Sequence, residues 1–122
     1  MIYSIKNVAE KTGLTNYTIR YYEKIGLLPH ISRNNNGIRE FSQDDVFWIE
    51  IIKCLKNTGM PISDIKSIVD LSLEGEHTSC KRKEILIEHR NKILSQIKNL
   101  QNNLLKIDLK IAWYNDKNIN CK

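Results

Sequence analysis

From Lys81 to Tyr114 the chain runs without a glycine or a proline. Through that stretch Ile93, Ile97, Leu100, Leu104, Ile107, Ile111 and Tyr114 recur at spacings of 4, 3, 4, 3, 4 and 3 residues. That is the heptad signature of a helix packed along one narrow seam. Carried backwards in register, the seam takes in Leu86 and one exception, Arg90. A helix of ~34 residues is about 50 Å long at 1.5 Å per residue. If the stripe packed on the chain's own N-terminal part, so small a domain would leave most of it bare. A second copy of the chain gives the seam a home, so a homodimer is expected.

The 122 residues, 41 % of them hydrophobic, suffice for one small domain plus that extended helix. A second, ligand-binding domain does not fit. The N-terminus MIYSIKNVAEKTG lacks the apolar run of a signal peptide, and no stretch approaches a membrane span. A cytoplasmic protein without a membrane partner is expected. Cys54, Cys80 and Cys121 are odd in number and widely spaced, which fits a reducing compartment rather than a disulfide framework.

The net charge of +5 says less than its distribution. Residues 1–39 hold six Lys and Arg against two Asp and Glu, residues 40–75 three against seven, and residues 76–122 ten against five. The locally basic first third is the part that invites nucleic acid.

Within it, Ser4 precedes IKNVAEKT and Gly13 follows, which predicts a two-turn helix with Ile5, Val8 and Ala9 on its core face. Thr15 caps a second helix, NYTIRYYEKI, closed by Gly26. Two helices separated only by a GLT turn have the spacing of a helix-turn-helix. The next segment carries Pro29 and an Asn34–Asn35–Asn36–Gly37 tip between Ile31, Ile38 and Phe41, a hairpin signal that reads as a wing. Ser42, with Asp44 and Asp45 in the first turn, starts a helix running to Gly59. After Pro61, Ser63 is expected to cap a short helix ending near Gly75. The predicted organisation is mostly α. A winged helix-turn-helix domain covers residues 1–75, a polar linker 76–80, the dimerisation helix 81–114 and a tail 115–122.

A recognition helix reads DNA with side chains on one exposed face. The second helix offers Asn16, Tyr17, Thr18, Arg20, Tyr21 and Tyr22, with Ile19 turned to the core. Asn16 and Thr18 lie near its N-terminus, where base contacts are made. Arg20 can donate to two acceptors, on guanine or on phosphate. Tyr21 and Tyr22 either bond phosphates or pack the wing onto the helix. Arg33 and Arg39 flank the wing tip, and Lys6 and Lys56 are further phosphate candidates.

The block YSIKNVAEKTGLTNYTIRYYEKIGLL, then R-x-x-x-G-x-R-x-F, then LKNTGM and DIK, resembles the MerR family of transcription regulators over nearly the whole chain. Ile38 and Phe41 stand where such wings commonly carry aromatics, often Tyr. The resemblance implies an antiparallel coiled-coil dimer on a (pseudo)palindromic operator in double-stranded DNA. It also implies activation at promoters whose elements are spaced too far apart for RNA polymerase, by bending and undertwisting the DNA.

The stretches IIKCLKNTGM, VDLSLEGEHTS and LKIAWYND are similar to the thiol-based, NmlR/AdhR-like branch that responds to aldehydes and nitrosative stress. That similarity implies effector sensing at Cys54. A thiolate adds to carbonyls or is S-nitrosylated. Lys53 and Lys56 would favour the thiolate and Glu50 oppose it. The other reading of Cys54 is an ordinary buried cysteine beside Phe47 and Ile51. Drug-sensing members carry a large C-terminal domain, for which the residues after the coil leave no room. Metal sensing remains the alternative. In an antiparallel pair Cys80 and Cys121 of opposite chains meet, with His77 or His89 nearby. No cofactor is expected, and no paired carboxylates, nucleophile–base pair or Gly-rich phosphate loop suggests an enzyme.

Overall fold

The computed structural model describes residues 1–117. They form two compact units, Met1–Ile85 and the chain from Leu86 onward.

The first unit is punctuated by side-chain caps. The Ser4 hydroxyl accepts the Asn7 N–H at 3.1 Å and the Asn7 side chain accepts the Ser4 N–H at 3.2 Å, starting α1 (Ile5–Thr12). Gly13, at φ 73°, ends α1 in the left-handed conformation that glycine adopts without strain. Two residues on, the Thr15 hydroxyl caps α2 (Asn16–Lys24). The wing follows as β1 (Ser32–Arg33) and β2 (Arg39–Glu40), antiparallel with Arg33 opposite Arg39. Its tip is held by the Asn34 side-chain oxygen, which accepts the N–H groups of Asn36 and Ile38. A reciprocal pair of 2.8 Å backbone bonds ties Tyr3 to Phe41, so the chain's start is stitched to the wing's return.

Ser42 and Asp45 close a second capping box on α3 (Gln43–Asn57). α4 spans Ile62–Glu74. Pro61, not Ser63, takes its N-cap position: the Pro61 carbonyl already accepts the Asp64 and Ile65 N–H groups, and Ser63 lies inside the first turn. The core gathers Val8, Ile19, Leu27, Phe41, Ile49, Ile52 and Ile65 from α1, α2, the wing, α3 and α4. Phe41 is thus a core residue, whereas Ile38 is exposed.

Residues 76–80, predicted as a linker, are ordered. Glu76–Thr78 make a 3-10 turn, and α5 (Ser79–Asp116) begins at once. Thr78 explains the difference: its hydroxyl lies 2.7 Å from the Leu71 carbonyl and 2.8 Å from that of Gly75, and it accepts from Arg82 Nε. A polar sequence without hydrophobic period is pinned by one buried hydroxyl. The compact first unit therefore extends past the expected boundary at 75, to Ile85.

α5 is 38 residues long and runs beyond the expected Tyr114 to Asp116. Along it Ile97, Leu100, Leu104, Ile107, Ile111 and Tyr114 are exposed in the single chain, and Ile93 is half-buried. Leu94, Leu105, Leu109 and Trp113, outside the predicted seam, are exposed as well. No helix among the described residues is long and apolar enough to cross a membrane.

Thr78→Val keeps shape but leaves two carbonyls and the Arg82 donor without that hydroxyl. It is expected to lower unfolding free energy by about 1–3 kcal/mol in urea titrations. An unchanged midpoint would mean that the turn is held by something else.

Candidate nucleic-acid interface

Helix periodicity divides α2 into two faces. Ile19 and Tyr22, three positions apart, are 1 % and 6 % exposed and belong to the core. Tyr22 is therefore removed from the candidate DNA-contacting set, since a ring packed inside cannot lie on a base edge. Burial raises its phenol pKa above the ordinary 10.0. The opposite face presents Asn16, Tyr17, Arg20 and Tyr21 to solvent, Tyr17 most of all at 77 %. Thr18 is half-buried: its N–H and its hydroxyl oxygen both bond the Thr15 hydroxyl. Arg20 makes no ion pair among the described residues, so its guanidinium is free to meet an incoming acceptor.

The wing arginines are placed differently. Arg39 Nε donates to Glu23 Oε1 at 2.7 Å, with both side chains about three-quarters buried. Arg33 reaches the same oxygen at 3.6 Å and donates from its other nitrogen to the Gly37 carbonyl at 2.9 Å. One carboxylate on α2 thus holds both strands of the wing. Arg39 is spent on that clamp rather than presented outward; Arg33, 47 % exposed, keeps an accessible side. Sequence reasoning passed over Glu23. The available signal was that it is one of only two acids among the first 39 residues.

Lys6 on α1 and Lys56 at the end of α3 are exposed and without ion pairs among the described residues. Lys53 is not a neighbour free to act on Cys54. Its ammonium donates to the Thr12 carbonyl at 2.6 Å, closing the C-terminal end of α1. Cys54 itself is exposed, which departs from the buried-cysteine reading, and Phe47 on the same helix is 62 % exposed. Cys80, in the first turn of α5, is exposed too; Cys121 lies outside the described residues. Among the described residues no three His, Cys, Asp or Glu side chains converge to hold a metal ion.

Comparison with known proteins agrees with this geometry. Residues 3–71 match the model described as the MerR HTH family regulatory protein, and residues 47–108 the model described as MerR, DNA binding. The chain is 36 % identical over 114 residues to an uncharacterized HTH-type transcriptional regulator of Haemophilus influenzae, covering 93 % of this chain and 84 % of that one. It is 41 % identical over 91 residues to the HTH-type transcriptional regulator AdhR of Bacillus subtilis, covering 75 % and 65 %. Among solved structures, HiNmlR, a MerR family regulator lacking the sensor domain and bound to promoter DNA, superposes with a TM-score of 0.84. The two are 35 % identical over 95 % of this chain and 92 % of that one.

Glu23→Gln removes the shared carboxylate charge. Because the Arg39 and Glu23 side chains are about three-quarters buried while the amide still accepts from Arg39, global stability should fall by about 1–3 kcal/mol. Amide hydrogen exchange across residues 32–40 should also accelerate. Unchanged wing exchange would show that the ladder alone holds the hairpin.

Proposed function

Because the chain belongs to the MerR family of helix-turn-helix regulators and is a DNA-binding transcriptional regulator of that type, we propose that it is an effector-triggered activator sensing a reactive aldehyde or a nitrosative signal at Cys54. The observation that carries the sensing part is the exposure of Cys54 on α3, in a chain similar to AdhR and HiNmlR. An exposed thiol is accessible to a small electrophile. As its sulfur bonds the aldehyde carbon, the carbonyl π pair moves to oxygen and takes up the thiol proton, giving a hemithioacetal.

In this reading Arg20, Asn16 and Thr18 address base edges. Tyr17, Tyr21, Arg33, Lys6 and Lys56 address phosphates, while Glu23 and Arg39 hold the wing at a fixed offset from α2. The exposed α5 seam supports pairing with a second copy, which brings two reading helices to a (pseudo)palindromic operator. Deformation of the bound promoter then realigns its elements for RNA polymerase.

Three outcomes check these parts separately. Leu104→Glu places a charge in the seam and should convert the dimer to monomer in sedimentation equilibrium; a persistent dimer would move the interface elsewhere. Arg20→Ala should remove specific operator binding while leaving the unfolding midpoint in place, and wild-type affinity should fall steeply with salt. Retained specificity would displace the reading face from α2. Transcription from an overlong-spacer promoter, with and without formaldehyde, should respond in wild type and not in Cys54→Ser, with DNA binding kept in both. Equal responses would remove the thiol from the mechanism.

A further inference from the structure

The first unit contains a cavity of about 300 Å³, within the range of small-molecule sites. It opens where four elements meet: the Leu28–Ile31 segment leading into the wing, the first turns of α3, the middle of α4, and the first turn of α5 through Arg82. Its walls are mostly apolar, from Leu28, Pro29, Ile31, Trp48, Ile68 and Val69. The Trp48 ring is locked in place, since its Nε1 donates to the Leu27 carbonyl at 2.9 Å.

The polar lining decides what charge the cavity would accept. Arg82 donates from Nε and an outer nitrogen to the hydroxyls of Thr78 and Ser79 and makes no ion pair among the described residues. Ser72 donates to the Val69 carbonyl at 2.6 Å, and one oxygen of Asp45 is spent on the Ser42 N–H. Asp44, by contrast, has no hydrogen bond or ion pair among the described residues and makes no ion pair with Arg82. His30 lines the same space. The lining thus sets the two carboxylates of Asp44 and Asp45 against the one guanidinium of Arg82, a net negative charge beside an indole and an aliphatic floor. That combination suits a positive group carried on an apolar body.

We propose that this cavity binds a small amphipathic organic cation, a protonated amine bearing one aromatic or branched apolar group. The amine sits against Asp44 and the apolar part between Trp48, Ile68 and Val69. This site is separate from the Cys54 thiol. Its consequence for transcription rests on the DNA-binding reading, because the occupant joins the root of the wing to α4 and to the start of α5. Binding itself does not depend on that reading and is measured without DNA.

The probe is phenethylamine, titrated into the full-length chain while heteronuclear NMR follows the two indole N–H resonances, Trp48 and Trp113. Phenethyl alcohol and phenylpropionate serve as neutral and anionic isosteres. The expected result is a saturable shift of the Trp48 resonance with the amine and no shift of Trp113. Binding should be at least about tenfold weaker for the alcohol and for Asp44→Asn, the factor one charge-assisted contact is worth. Ser72→Phe, which fills the cavity from α4, should abolish the shift while leaving helicity by circular dichroism unchanged. An unmoved Trp48 resonance would overturn the proposal, as would equal affinity for amine and alcohol or an unaltered shift in Asp44→Asn. Operator binding measured in parallel distinguishes an empty cavity from a failed DNA reading.

Discussion

The contact on which the reading surface depends is the one between Glu23 and the two wing arginines. A two-stranded hairpin this short is marginal by itself in water. Here its ladder is only Ser32–Arg33 against Arg39–Glu40. Glu23 supplies an anchor from outside the ladder, and the Tyr3–Phe41 bridge supplies a second from the opposite side. Together they turn a mobile loop into an arm whose position is set by α2. α2 and the wing are thereby tied directly to each other through Glu23. Arg33 stays about half exposed, whereas Arg39 and Glu23 are about three-quarters buried and satisfy each other's charge.

Behind that surface the first unit is held by consistent local devices. α1 and α3 each open with a closed capping box, and α2 opens with a threonine cap. Lys53 shows how one side chain serves two elements: rooted on α3, it satisfies the carbonyl left open at the end of α1. Thr78 does the same at the other end of the unit, binding the end of α4 and the start of α5 through one hydroxyl. Such contacts are few, but each closes a point where helix ends leave backbone groups unpaired.

The two candidate effector positions differ in kind. Cys54 is an exposed thiol on α3, where the proposed covalent event with a small electrophile would occur. The cavity near Asp44 is a non-covalent site framed by the wing's root, α3, α4 and the first turn of α5. Both involve α3, the helix that also carries the central core residues Ile49 and Ile52. α3 and α2 thus share one core, to which α2 supplies Ile19.

By itself the sequence determined the elements and their order, because caps, glycine stops and heptad spacing are local signals. Ser4, Thr15 and Ser42 mark helix starts by chemistry confined to three residues, and the Asn-Gly tip marks the hairpin. The periodicity after Lys81 required a long helix wherever it was placed. Only the tertiary structure decided which of two adjacent tyrosines faces inward. It also decided that Arg39 is a clamp and Lys53 a cap, that Cys54 is exposed, and that residues 76–80 are a pinned turn. For Arg39 and Lys53 the physical reason is a partner distant in the chain, Glu23 and Thr12, and the spacing of residues along a sequence carries no measure of that distance in space. Thr78 reaches back only to Leu71, but a single hydroxyl contact leaves no periodic signal in a sequence.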